Sequence, residues 1–241
     1  MKKTYINLIM LLDVASVGVL SSCNRFNCKQ GSGKVVSETR KVSDFDKLDI
    51  SGGYKVKLVQ DSSLNVQIHA DDNLMKYIKA EVSGGELRIH SSRNICGSGD
   101  IEVIIGVRNL KEVHASGAVE VSANGRINTG DISFDLSGST HIDLDLFAAT
   151  VTTSGSGATE INLKGQAGTH NVDLSGSGDI NALDFVVGKY NIETSGASHC
   201  KINVLNNLSV HTSGSSEIEY RGNPANVSND KSGASSITKI D

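Results

Sequence analysis

The chain has 241 residues, with 23 Lys and Arg against 27 Asp and Glu and a formal net charge of −4. Charges of both signs are interspersed, which leaves no basic patch for nucleic acid. Aromatic residues are 4% of the total, Trp is absent and Pro occurs once. Such a chain cannot fill a bulky globular core and favours an architecture that distributes Val, Ile and Leu along its length.

Residues 1–22 read as a targeting segment: Lys2 and Lys3 open it, an apolar run from Ile6 to Leu20 comes next with Asp13 inside it, and Leu20-Ser21-Ser22-Cys23 closes it. The run is too short for a membrane span. It resembles a bacterial lipoprotein signal peptide, and by that resemblance Cys23 is the lipidated first residue of the mature chain. The resemblance implies a cell-envelope protein anchored by lipid to the outer membrane. Which side of that membrane the domain faces is open. Residues 23–33, containing Gly31-Ser32-Gly33, read as a flexible tether.

Residues 34–105 are strand-rich and out of step with the repeat that occupies the second half of the chain. Phe45 to Ile50 leads to a first Ser51-Gly52 step, and Tyr54 to Val59 and Leu64 to His69 alternate with period two. The segment Asp71 to Ala80 predicts one short helix, capped by Asp71 or Asp72, with Leu74, Tyr77 and Ile78 as its apolar stripe. Gly84-Gly85 then turns the chain into Glu86 to His90.

Residues 106–241 are organised by a recurring Ser-Gly step, with glycines at Gly117, Gly138, Gly155, Gly176, Gly196, Gly214 and Gly233. The intervals are 21, 17, 21, 20, 18 and 19 residues, a repeat of roughly twenty. A small residue comes directly after each glycine. Four before it stand Val113, Phe134, Val151, Val172, Ile192 and Val210, and four after it stand Val121, Ile142, Thr159, Ile180, Cys200, Ile218 and Ile237. Alternation such as His141-Ile142-Asp143-Leu144 indicates strands, and a unit this short without helical periodicity fits one coil of a parallel β-helix. The expected fold is all-β, a right-handed parallel β-helix roughly 30 Å long. Its structural turns are the seven glycines, which adopt the corner conformation without steric cost.

The stretches FDKLDISGGYKVKL, VQIHADDNLMKYI and GGELRIHS, followed by SGSGDIN-like units at Ser175 to Asn181, resemble the auto-transporter adhesin "head GIN" domain family over residues 35 to 240. The resemblance implies an envelope protein with a β-helix-like fold. It carries no catalytic residues.

With Cys23 assigned to lipid, Cys28, Cys96 and Cys200 remain. Cys200 falls in an apolar column and reads as a small buried hydrophobe. Cys28 and Cys96 are candidates for a bridge in an oxidising compartment, and the sequence leaves their pairing open. No Cys and His spacing suggests zinc, and no cofactor or metal is expected.

The chemistry with the strongest claim lies three residues before each glycine: His114, Asp135, Thr152, Asp173, Glu193, His211 and Asp230. On adjacent coils Asp173 and Glu193 stand about 5 Å apart, the separation used by retaining glycosidases, and Asp173, Glu193, His211 and Asp230 form a row able to bind a ligand or an oxygen-seeking cation. The plainer account is that stacked period-two strands place every outward residue over its counterpart. His141 and His199 are three coils, about 14 Å, apart, too far to share a proton. Seven Ser-Gly copies speak for architecture and not for a nucleophile. The expectation is a non-enzymatic envelope lipoprotein whose polar surface binds glycans or envelope proteins. The alternatives are a carbohydrate-active enzyme using Asp173 and Glu193, and a purely structural or regulatory envelope component.

Overall fold

Period-two alternation gives strands, and strands account for most of the chain. The computed structural model describes residues 28–97 and 99–241, so the leader, Cys23 and the first tether residues lie outside the described residues. No α-helix occurs among the described residues.

The largest element, β10, runs from Asp131 to Arg221 as 91 residues of extended chain. Drawn out straight it would be about 300 Å long. Instead it returns over itself in successive passes, so that Gly157 lies on Gly138, Gly176 on Gly157, Gly196 on Gly176 and Gly214 on Gly196. Its first pass pairs in parallel with β9 (Glu112–Asn128), Gly138 opposite Gly117. Its last pass pairs in parallel with β11 (Asn226–Gly233) and β12 (Ser236–Lys239). Along each pass burial alternates: four residues before the corner Val113, Phe134, Val172, Ile192 and Val210 are buried, and four after it Val121, Ile142, Ile161, Ile180, Cys200 and Ile218 are buried. Each fully buried aliphatic or aromatic side chain contributes about 1.5–3 kcal/mol, so the core is a thread of modest contributions running the length of the stack.

The N-terminal part is joined to this ladder. β3 (Lys47–Gln60) pairs in parallel with β9 and sets Gly52 opposite Gly117. The Ser51-Gly52 step thus opens the corner column, although 65 residues of sequence separate it from Gly117. That stretch holds β4 (Asn65–Asp71), β5 (Ile78–Ser83), β6 (Glu86–Ser91), β7 (Ile95–Cys96) and β8 (Glu102–Val107). β6 and β8 pair in parallel with β3. Three further pairings, β4 with β8, β4 with β2 (Val35–Lys41) and β5 with β6, are antiparallel.

The helix expected over Asp71 to Ala80 is not formed. Met75–Tyr77 makes a single 3-10 turn without a side-chain cap, and Ile78 begins β5. Tertiary pairing overrides the local stripe: Gly84-Gly85, both at positive φ, closes a hairpin whose partner β6 pairs with all of β5. Leu74, Met75 and Ile78 are buried all the same.

Residues 28–33 of the expected tether are held. Lys29–Gln30 (β1) pairs with β7, Cys28 is disulfide-bonded to Cys96 with 5.7 Å between Cα atoms, and the Ser32 hydroxyl donates to Asp72 at 2.6 Å. The bridge closes a sequence separation of 68 residues. Cys96→Ser is therefore expected to cost about 2–4 kcal/mol. Limited proteolysis should show faster cleavage at Lys29 in this variant, while amide exchange in β10 stays as slow as in the parent.

Candidate functional site

The corner column is the scaffold of the outer surface. Gly52, Gly117, Gly138, Gly157, Gly176, Gly196, Gly214 and Gly233 all have positive φ. A Cβ on Gly138 or Gly157 would stand 2.5 Å from the carbonyl oxygen of the glycine beneath it. Only Gly fits, because conformation and close backbone approach exclude a side chain together.

One sequence-derived turn is corrected by this column. Gly155 has no positive φ and faces inward, where an added Cβ would meet Leu174 Cδ2 at 2.7 Å. The corner of that pass is Ser156-Gly157. The intervals become 21, 19, 19, 20, 18 and 19, the apolar column regains Ile161 in place of Thr159, and Ser154 replaces Thr152 in the outward row.

That row, three residues before the corner, is brought together as a ladder. Asp49 lies opposite His114, and His114 opposite Asp135. His114 Nδ1 is 3.2 Å from Asp135 Oδ2, and His211 Nδ1 is 3.3 Å from Asp230 Oδ2. Asp173 and Glu193 occupy the same place on successive passes, both exposed and with no ion pair among the described residues. A general acid needs a carboxyl withdrawn from water, and neither side chain is. Among the described residues no three His, Cys, Asp or Glu gather closely enough to hold a metal ion.

On the other side of the corner lies a feature the sequence did not announce. Three clefts of about 390, 260 and 520 Å³ succeed one another down the stack. The first and second share Ser139 and His141, and the second and third share Asp179, so they form one groove. From the pass of Gly52 to that of Gly233 are seven steps, about 34 Å at strand spacing. Small residues directly after the corner glycines make its floor, among them Gly53, Ala118, Ala158 and Ala197. The position three after each corner makes its wall: Lys55, Glu120, His141, Glu160, Asp179, His199 and Glu217. Lys55 Nζ is 2.8 Å from Asp100 and 3.9 Å from Glu120, and His141 Nδ1 is 3.2 Å from Glu160. His141 and His199 remain three passes apart and do not meet. Two after the corner the chain faces inward again: Thr140 and Ser198 are 3% and 5% exposed beneath the groove, and neither hydroxyl has a hydrogen-bond partner among the described residues.

Inside the stack, His170 is fully buried, with Nε2 3.0 Å from the Thr153 hydroxyl and its ring 5.1 Å from that of Tyr190. Burial pushes its pKa down to about 3. Burial likewise pushes the Cys200 thiol up to about 12, so it is protonated and inert at neutral pH.

Parallel passes with a repeated polar exterior define a nearly all-β protein of stacked strands. The chain belongs to the family described as "Putative auto-transporter adhesin, head GIN domain", whose model matches residues 44–224. Among solved structures, a putative adhesin from Bacteroides fragilis is 21% identical with a TM-score of 0.83, covering 88% of this chain and 100% of its own. A putative lipid binding protein from Parabacteroides distasonis is 20% identical at a TM-score of 0.69, with 88% and 99% covered. A putative adhesin from Parabacteroides merdae is 20% identical at 0.64, with 89% and 100% covered. At these identities the likeness is one of fold. No curated protein matches the chain.

Proposed function

We propose that this chain is a non-enzymatic cell-envelope lipoprotein, anchored to the outer membrane through Cys23, whose passes form a right-handed parallel β-helix and whose polar exterior makes adhesion-like contacts with glycans or envelope proteins. The carrying observation is the groove, which offers a floor of small residues and a wall of polar or charged ones on successive passes. Repetition of a weak contact gives avidity without a deep pocket. The family description and the adhesin named among the similar folds agree with this reading. Parallel register at steps of about twenty residues supports the β-helix, and right-handed crossover is the rule for parallel strands. The mature chain, made without lipid by Cys23→Ser, is expected to bind envelope polysaccharide, whole cells or an envelope protein in a pull-down. Binding to none of these overturns the reading. Protease shaving of intact cells then assigns the side: loss of the domain means it faces outward, and survival until the envelope is opened means it faces the periplasm.

A further inference from the structure

A lipid on Cys23 would hold this domain on a short leash. Cys28 is bonded to Cys96 in β7, and β1 is paired to the same strand. Residues 24–27 alone separate Cys23 from Cys28, and fully extended that stretch spans about 17 Å at most. The β1 and β7 pair belongs to the end of the stack opposite β11, because β3 pairs with β9 on one side and with β6 and β8 on the other, and β7 falls between those two strands in sequence. Three cations surround the bridge. Lys29 N donates to Asn94 O at 2.7 Å and Ser92 N to Tyr77 O at 2.8 Å, so Arg93 stands between the strand carrying Lys29 and the 3-10 turn carrying Lys76. All three side chains are exposed, and the ion pairs of the described residues are made by other lysines and arginines. Two carboxylates in the adjoining turn are accounted for: Asp72 is paired with Lys34, and Asp71 is buried. An apolar side chain marks the same end independently of charge. Val35, next to Lys34, is 61% exposed, more than any other exposed large hydrophobic among the described residues.

We propose that this end of the stack is a membrane-docking face, on which Lys29, Lys76 and Arg93 rest against anionic phospholipid headgroups while the groove rises away from the bilayer. This rests on the lipid-anchor reading above. A Lys or Arg close to an anionic leaflet strengthens attachment about fivefold, so three give about a hundredfold, a weak attraction for a free domain. The leash makes it effective, because a second contact within reach of the first is intramolecular. Tyr77, half-buried with Lys76 Nζ 5.1 Å from its ring centroid, has the apolar body and polar tip that suit a headgroup layer. A second copy of the chain fits this face less well, since an isologous contact would set its cations against themselves.

For the test, the mature chain made without its lipid is coupled through Cys23 to a maleimide lipid in phosphatidylcholine vesicles, with and without phosphatidylglycerol. Cys28 and Cys96 are bonded to each other and Cys200 is buried, which directs the coupling to Cys23. Acylation of each lysine by a water-soluble ester is then followed by mass spectrometry. On anionic vesicles Lys29, Lys34 and Lys76 are expected to react several-fold more slowly than on neutral ones, an effect lost at high salt, while Lys231 in β11 reacts equally on both. In Lys29→Gln/Lys76→Gln/Arg93→Gln the slowing at Lys34 should disappear with the thermal midpoint kept. The uncoupled Cys23→Ser form of that variant should lose about a hundredfold in partition onto anionic vesicles. Lys231→Gln, at the far end, should change neither result. Equal reactivity on both vesicles, indifference to the triple variant, or equal slowing of Lys231 overturns the proposal. The anchor is tested apart, by incorporation of labelled palmitate in cells that Cys23→Ser abolishes. Without incorporation the anchor reading falls and the proposal with it; incorporation without headgroup-dependent slowing fells the proposal alone.

Discussion

Gly157→Ala is expected to lower stability by about 2–6 kcal/mol, whereas Gly155→Ala, two residues away, costs about 1–3 kcal/mol. At Gly157 φ is +95° and a Cβ would stand 2.5 Å from Gly138 O and 3.1 Å from Gly138 N. Both obstacles are backbone, held by strand pairing above and below, so neither yields. The conformation alone costs about 1–3 kcal/mol, and the clash adds about as much as overpacking does, 1–3 kcal/mol. At Gly155 the backbone is ordinary and the nearest obstacle is Leu174 Cδ2, the far end of a flexible side chain, so only the overpacking contribution applies. Gly53→Ala, with open space around it, should stay within about 0.5 kcal/mol of the parent. Urea midpoints of the three variants check the order. A repeat array need not unfold in one step, but the ranking survives that. If Gly155→Ala proved the most damaging, the phase of the third pass, and with it the Ser154 assignment, would be wrong.

The same pair of glycines shows where sequence reasoning reached its limit. Ser154-Gly155-Ser156-Gly157 offers two Ser-Gly steps, and both place a β-branched residue four before the glycine, Val151 for one and Thr153 for the other. Nothing local separates them, because the deciding interaction is with Gly138, nineteen residues earlier. Gly52 escaped the column for a related reason: five strands lie between it and the neighbour it stacks on. The short apolar stripe of Leu74, Tyr77 and Ile78 fits a helix locally, and only the pairing of Ile78 to Ser83 with β6 stops it after a single 3-10 turn. By contrast the strand period, the corner column and the ladder of Asp173, Glu193, His211 and Asp230 were legible, since each depends on one residue's relation to its own copy.

The candidate site was half legible. Its charged wall emerges from counting three residues past each corner once the corners are right. Its continuity does not, because a groove is a property of relief. The small residues at Ala118, Ser139 and Ala197 were visible as a steric necessity of the corner, yet the lane they leave beside Glu120, His141 and His199 appears only when the passes are stacked. His170 was missed for a different reason. It stands in a strand position of the interior, where an apolar residue is expected, and no pattern marks a polar residue that the fold buries.

That histidine should make the protein acid-labile well above the pH at which exposed carboxylates titrate. The folded-state pKa is lowered from 6.5 to about 3 by burial, so between these values the unfolded chain binds a proton that the folded chain refuses. The neutral ring's contribution is fully present above pH 6.5, declines as pH falls, and is exhausted once pH passes through about 3. At about 1.4 kcal/mol per pH unit the whole interval corresponds to about 4–5 kcal/mol. Between pH 7 and 4.5 the loss is about 3 kcal/mol, in a range where Asp and Glu carboxylates of ordinary acidity stay mostly ionised. Removing His170 alone would strand the Thr153 hydroxyl bonded to its Nε2. The informative variant is therefore His170→Leu with Thr153→Val, which removes both partners and leaves apolar groups in their place. Its unfolding midpoint should be nearly flat over that range while the parent's falls. Parallel curves for the two proteins would mean that His170 is reached by water and charged in the folded state. Tyr190→Phe separates packing from polarity in the same cluster: the phenol oxygen has no hydrogen-bond partner, so its loss should cost nothing measurable at pH 7 and leave the acid response of His170 intact.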